Sequence, residues 1–252
     1  METNASPLPS HEGSMGFLSR LLAVYFEPGK AYADLSRKPN WLGMAILLAA
    51  LALTLVSVST LRMDPETYMR KALEQNPMSK KLSEEQKRLA IEQSVNNPGR
   101  RLIGVIITPV AVVVTYLALA GIFLLLFVIS GGIITFKQSL AATVWGMGPP
   151  GIIYTLLAGI ISVMKDSSDL DLDYRNNLIT SLNIVINQKD HPLLHSLLGS
   201  MDVFSFWTIF LLAMAFSHMM SSKISTGKAA VGITLLWAIY VAGKVGMSAI
   251  FS

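Results

Sequence analysis

The chain has 252 residues, 52% hydrophobic and only 14% charged, with a formal net charge of +4 and no cysteine. Soluble domains carry about 25% charged residues, so the composition excludes an ordinary water-exposed surface, and the lack of cysteine excludes disulfides, thiolate metal sites and thiol nucleophiles. The net charge is too small for a nucleic-acid binder, whose Lys and Arg cluster on one face.

Residues 1–14 are polar, with Pro7, Pro9 and Gly13, and are expected to form a disordered tail. The apolar run that follows is too short for a leader and is interrupted by Arg20, so no signal peptide is predicted. It reads as an amphipathic helix instead, with Phe17, Leu18, Leu21, Leu22 and Tyr25 on one face. Beside a membrane span, such a helix either lies among the headgroups or packs on the chain's own spans. Glu27-Pro28-Gly29 breaks it, and a second short helix at 30–36 leads to Arg37-Lys38-Pro39-Asn40-Trp41. Cations, a breaker and an interfacial Trp are a good lead-in to a span. Residues 15–40 are therefore assigned to interfacial amphipathic helices and 41–252 to a membrane domain.

Five apolar stretches follow, at 41–61, 102–130, 139–164, 203–220 and 229–251. A helix rising 1.5 Å per residue needs roughly 20 residues to cross ~30 Å of hydrocarbon. The expected fold is therefore all-α, a polytopic bundle of five transmembrane helices. The second stretch is longer than a perpendicular span needs. The third holds Gly148-Pro149-Pro150-Gly151 and reads either as one kinked helix or as a re-entrant pair. Asp202 is the expected N-cap of the fourth.

Turns are short around 136–138 and at 221–228, whereas the loops at 62–101 and 165–202 are long and look helical. In the first, Asp64-Pro65 offers an N-cap with Pro at N1, and Ser83 with Gln86 forms a capping-box pattern. Tyr68, Ala72 and Leu73 form one apolar stripe, and Leu82, Leu89 and Val95 supply further apolar positions. In the second, Leu178, Leu182, Val185 and Ile186 form an extramembrane interaction stripe, followed by another from Leu193 to Met201. An amphipathic stripe needs a partner surface, so the first is expected to pack on the helix of Tyr68 or to dock a partner. Five crossings put both loops on one side, as a helical cap. Charge leaves the orientation open. The long loops hold more Lys and Arg in total, but the short ones are basic with no acid at all.

Five runs stand in order along the chain: Phe26-Glu27-Pro28-Gly29-Lys30-Ala31-Tyr32-Ala33-Asp34-Leu35, Lys38-Pro39-Asn40-Trp41-Leu42, Ser139-Leu140-Ala141-Ala142-Thr143-Val144-Trp145, Leu198-Gly199-Ser200-Met201-Asp202-Val203-Phe204-Ser205-Phe206-Trp207, and Lys223-Ile224-Ser225-Thr226-Gly227-Lys228-Ala229. Together they resemble the Yip-domain family, the type named for eukaryotic members that bind Ypt/Rab GTPases, in its prokaryotic branch. The resemblance implies five helices in the cell membrane, a cytoplasmic N-terminus and an extracytoplasmic C-terminus. It implies an accessory or scaffold subunit, in some relatives alongside ABC-type exporters, in others in membrane organisation and traffic. The two enlarged loops depart from the compact members, so their role is not inherited.

Chemistry is sparse. No Asp or Glu falls between Glu92 and Asp166 or after Asp202, which argues against proton-coupled transport and intramembrane aspartyl proteolysis. His191 and His195 stand at i, i+4 but have no third metal ligand at motif spacing. Asp169-Leu170-Asp171-Leu172-Asp173 lacks the glycine and glutamate of a calcium loop, with Tyr174 and Thr180 in their places. No nucleotide, hydrolase or HExxH motif occurs. No catalytic residue, metal or cofactor is expected. Lys244 is the one charge inside a span. It reads either as snorkelling to the nearer face or as a polar contact. Gly243 and Gly246 beside it form a small-residue face open to another helix. Pro149, Pro150, Lys244, Gly243 and Gly246 are thus the candidate intramembrane contacts. The expected function is a non-enzymatic scaffold or accessory subunit whose partners are the lipid bilayer and other membrane proteins or a second copy. A transporter or channel component with a polar site near Lys244 is the alternative.

Overall fold

The computed structural model describes residues 14–76, 79, 81–97, 99–166, 170, 180–182, 191–220 and 224–251. Among them the chain is helical, with no named strand and one isolated bridge between Ser181 and Asp202. α1 (Phe17–Phe26) and α2 (Pro28–Arg37) form a hairpin about Glu27. Pro28 opens α2, where its missing N–H leaves no bond unmade. The apolar stretches become α3 (Leu42–Arg62), α6 (Gly99–Ile129), α7 (Phe136–Met164), α9 (Val203–Met219) and α10 (Thr226–Phe251). Between them lie α4 (Pro65–Gln75), α5 (Glu84–Asn96) and α8 (Pro192–Leu198).

Local chemistry explains most boundaries. Asp64 accepts the Thr67 amide at 2.9 Å and caps α4, Ser83 and Gln86 form the expected box at α5, and Asp202 accepts the Ser205 amide at 2.9 Å to cap α9. A second box, Thr135 with Gln138, starts α7 at Phe136. The expected turn around 136–138 is therefore already helix, and the reversal falls at 130–135, where Gly131 takes φ +82. The third stretch is one continuous helix with Pro149 and Pro150 inside it, not a re-entrant pair.

α7 is the hub. It packs on α3, α6 and α9 and touches both helices of the hairpin, while α9 also packs on α2 and α10. The core between them holds Trp145, Tyr32, Phe127, Phe216, Leu35 and Met44, all fully buried. By contrast Ile106, Val110, Val114 and Leu125 of α6 and Val231, Leu235 and Ile239 of α10 are exposed. Apolar exposure along whole helices is the surface of a protein solvated by lipid. Thr54, Ser57, Thr108 and Thr115 return their hydroxyls to carbonyls one turn back, which satisfies them without water. Among the described residues four helices are long and apolar enough to cross a membrane: Leu42–Arg62, Leu102–Ile129, Phe136–Met164 and Thr226–Met247. α9 has 17 residues; at 1.5 Å each it is about 26 Å long, just short of a ~30 Å hydrocarbon layer.

α3 and α7 run parallel and end flush. The Arg62 guanidinium caps the C-terminus of α7, donating to the carbonyls of Ser162 and Lys165. They do not start flush. Gly148, thirteen residues into α7, lies against Met44, the third residue of α3. α7 therefore begins about ten residues, or roughly 15 Å, before α3. That shelf is somewhat deeper than the ~10–12 Å width of a helix with its side chains, and the α1–α2 hairpin occupies it.

Candidate functional site

The best-defined polar site is the seat of this hairpin against the middle of α7. Arg20 interrupts an apolar run, and a buried charge demands a partner. The partner is Asp34 on α2. The Arg20 Nε and one terminal nitrogen donate to its Oδ2 at 3.0 and 2.6 Å, with both side chains 4% exposed. The Met15 amide donates to the other carboxylate oxygen at 3.2 Å. The guanidinium also lies 5.5 Å from the ring centre of Trp145 on α7, a cation–π contact, while Phe17 meets the same ring edge-on at 5.7 Å. The indole N–H of Trp145 donates to the Asn40 carbonyl at 2.8 Å.

Pro149 explains Tyr32. Pro149 has no N–H, so the carbonyl one turn earlier, that of Trp145, loses its intrahelical donor. The Tyr32 hydroxyl supplies one at 3.1 Å, and the Tyr25 hydroxyl donates to the Pro149 carbonyl at 2.9 Å. Both phenols are pushed above their ordinary pKa because burial disfavours the phenolate, Tyr32 most strongly. They remain neutral donors. Tyr25 also approaches Trp207 of α9 at 5.9 Å, and Tyr32 approaches His218 at 6.4 Å. The His218 Nδ1 is 2.8 Å from the Met214 carbonyl. Gly146 is required here: a Cβ would sit 2.6 Å from a Leu212 methyl and 3.0 Å from its Cα.

The other expected residues are dispersed. Pro149 and Pro150 are buried at this seat. Gly243 and Gly246 are exposed, with no atom of the protein within 4 Å of where a Cβ would stand. Lys244 is exposed, and its ammonium donates to the Ser200 hydroxyl at 3.2 Å, beyond the start of α9. It therefore reaches away from Pro149 and Pro150. Leu178, Val185 and Ile186 lie outside the described residues; Leu182 is described and is 56% exposed. The two long loops do touch, where Lys71 of α4 donates to the carbonyl of the buried Leu170. Leu82, Leu89 and Val95, however, are exposed rather than packed. Beside them a cleft of about 520 Å³ is lined by Leu89, Glu92, Gln93, Asn96 and Asn97, far along the chain from the hairpin seat. Among the described residues no three His, Asp or Glu come together as a metal site.

Reading residue types at the seat, a buried ion pair whose charges are mutually satisfied and two neutral phenols bonded to carbonyls make a structural lock. Sequence reasoning registered Arg20 only as an interruption and did not pair it with Asp34. The usable signal was the charge itself, set in a run of apolar residues.

An all-helical chain with lipid-facing sides and at least four membrane-length helices is a multi-pass integral membrane protein. The Yip1 domain family matches residues 22–247, and the chain belongs to that family. No curated protein and no solved structure matches it. Four of the five runs that carried the resemblance converge on the seat: Tyr32 and Asp34 from the first, Asn40 from the second, Trp145 from the third and Trp207 from the fourth.

Proposed function

We propose that the protein is a non-enzymatic membrane scaffold or accessory subunit. The observation that carries this reading is the closure of the bundle at the proline pair of α7. The carbonyl freed by Pro149 is taken by Tyr32, and Gly146 and Gly148 are filled by Leu212 and by Met44 with Leu48. A transport pathway through that point would need those groups turned to water. The surfaces left open lie outside the bundle instead, on α10 at Gly243 and Gly246 and on α6. The partner is another membrane protein, such as an ABC-type exporter, or a second copy.

In this reading α9 also crosses the membrane, the N-terminus is cytoplasmic, and both long loops stand outside the cell membrane. Mild-detergent purification with identification of co-purifying chains tests the partner. Bulky substitution at Gly243 or Gly246 is expected to abolish co-purification without unfolding the protein. Tag accessibility in intact cells tests the topology, and an externally reactive N-terminal tag overturns it. Solute or ion flux through the purified, reconstituted protein, lost on Lys244→Met, would replace the scaffold by a channel component.

A further inference from the structure

The hairpin presents a second face that the lock does not use. Of the apolar residues of α1, Phe17 and Tyr25 turn to the bundle, with Arg20 and Val24 buried between them. Leu18, Leu22 and Phe26, spaced one turn apart, point outward and are 71%, 59% and 81% exposed. The depth of this stripe follows from its contacts. Phe17 stands over Gly43 in the first turn of α3, and Tyr25 reaches Pro149 of α7 and Trp207 of α9. α1 thus crosses from α3 to α9 at the level where the lipid-facing part of α3 begins. A row of large apolar side chains at that depth faces acyl chains.

The charges nearby have one sign. Arg37, Lys38, Lys137 and Lys228 are exposed at this end of the bundle, Arg37 with one terminal nitrogen 3.9 Å from Asp34, as is Lys30, which pairs with Glu27. Asp34 is buried against Arg20. Among the described residues from α1 to α3 and in the two short turns, Glu27 is the one exposed acid.

We infer that α1 is an in-plane lipid anchor: Leu18, Leu22 and Phe26 insert at the acyl–headgroup boundary of one leaflet, and Arg37 and Lys38 hold anionic headgroups above them. Apolar insertion beside a cationic face is the standard arrangement of an interfacial helix, and juxtamembrane cations favour anionic lipid. Here the Tyr25 bond to Pro149 and the contacts of Arg20 and Phe17 with Trp145 fix the helix to the spans, so its depth is set by the protein.

The chain has no cysteine, which makes single-site labelling clean. Leu18→Cys, Leu22→Cys and Phe26→Cys, each carrying a polarity-sensitive fluorophore, are reconstituted at low protein density in phosphatidylcholine vesicles with and without phosphatidylglycerol. Leu125→Cys on the exposed face of α6 and Glu92→Cys on α5 are the lipid and water references. The α1 probes are expected to follow Leu125→Cys: quenched by acyl-chain nitroxides and several-fold less by iodide than Glu92→Cys. Iodide quenching equal to Glu92→Cys overturns the anchor. Shielding from both quenchers also overturns it and gives the face to a second copy. Nitroxide carried on phosphatidylglycerol is expected to quench more than the same amount on phosphatidylcholine, and Arg37→Gln with Lys38→Gln to erase that difference. Equal quenching in the unmodified chain removes the role of anionic headgroups. No partner protein is needed, so the outcome is separate from that of the scaffold reading.

Discussion

Replacing Asp34 by Ala strands the Arg20 guanidinium in a pocket where both side chains are 4% exposed. Two charge-assisted bonds at 3.0 and 2.6 Å are lost, and the Met15 amide loses its acceptor. Breaking a buried pair from one side costs about 3–5 kcal/mol, chiefly because the remaining charge is uncompensated. At 1.4 kcal/mol per decade, even the lower figure raises the undocked population of the hairpin more than about 100-fold. The double replacement Arg20→Met, Asp34→Leu removes both charges and keeps apolar volume, so most of the loss is expected to return. A residue of about 0.5–2 kcal/mol remains for the lost cation–π contact with Trp145. The assay is limited proteolysis at the Lys38–Trp41 connection in detergent micelles, alongside thermal unfolding. If Asp34→Ala cuts no faster than the parent, or if the double variant is as labile as the single one, the lock is not held by this pair.

Tyr32→Phe leaves the Trp145 carbonyl without its donor and should cost about 1–3 kcal/mol. Adding Pro149→Ala restores an intrahelical N–H, so the double variant is expected to melt above Tyr32→Phe alone, and additive losses would refute the pairing. Burial raises the Tyr25 and Tyr32 pKa values above the ordinary 10.0. The folded state therefore keeps its phenolic protons when the unfolded chain releases them, and the stability they contribute, complete below pH 10, falls as pH rises above it. Ultraviolet titration of the phenols against thermal stability checks this, and a Tyr25→Phe, Tyr32→Phe variant should lose that part of the alkaline sensitivity. Gly146→Ala forces a Cβ to within 3.0 Å of the Leu212 Cα, an overpacking cost of about 1–3 kcal/mol. Gly243→Ala enters open space and should stay within about 0.5 kcal/mol of the parent in detergent.

How much was legible depended on sequence distance. The caps at Asp64, Ser83 and Asp202 could be read directly because donor and acceptor lie three residues apart and the pattern is self-contained. The same logic applied to Thr135 and Gln138 would have moved the turn before α7 to its place. The all-helical membrane fold was legible from long apolar runs, since lipid demands internally satisfied backbone. The length of α9 was legible to within one residue, since the run 203–220 becomes a helix ending at Met219. Leu18 and Phe17 look alike in the sequence, and periodicity grouped them on one face of α1. The structure sends Phe17 to Trp145 and Leu18 outward, a distinction that depends on a partner over 120 residues away. Arg20 was visible as an anomaly, but Asp34 as its partner follows only from the hairpin angle. Lys244 was legible as a choice between two geometries, and Ser200, distant in the chain, decides which side it reaches.

The shelf beside α3 also imposes an order in time. Tyr32 and Asn40 are made early, yet Trp145, their partner, is made 113 and 105 residues later. At roughly 5–20 residues per second of synthesis, the hairpin waits about 6 to 23 s for its seat, and longer for Trp207. During that wait the pairing of Arg20 with Asp34, separated by only 14 residues, can already neutralise the charge that must later be buried. Docking is then among the last events of assembly, and it occurs only after α7 and α9 stand side by side. A nascent chain stalled before Trp145 would expose its N-terminal hairpin to protease, while a completed one would not, so the closed hairpin is a mark that the bundle behind it is whole.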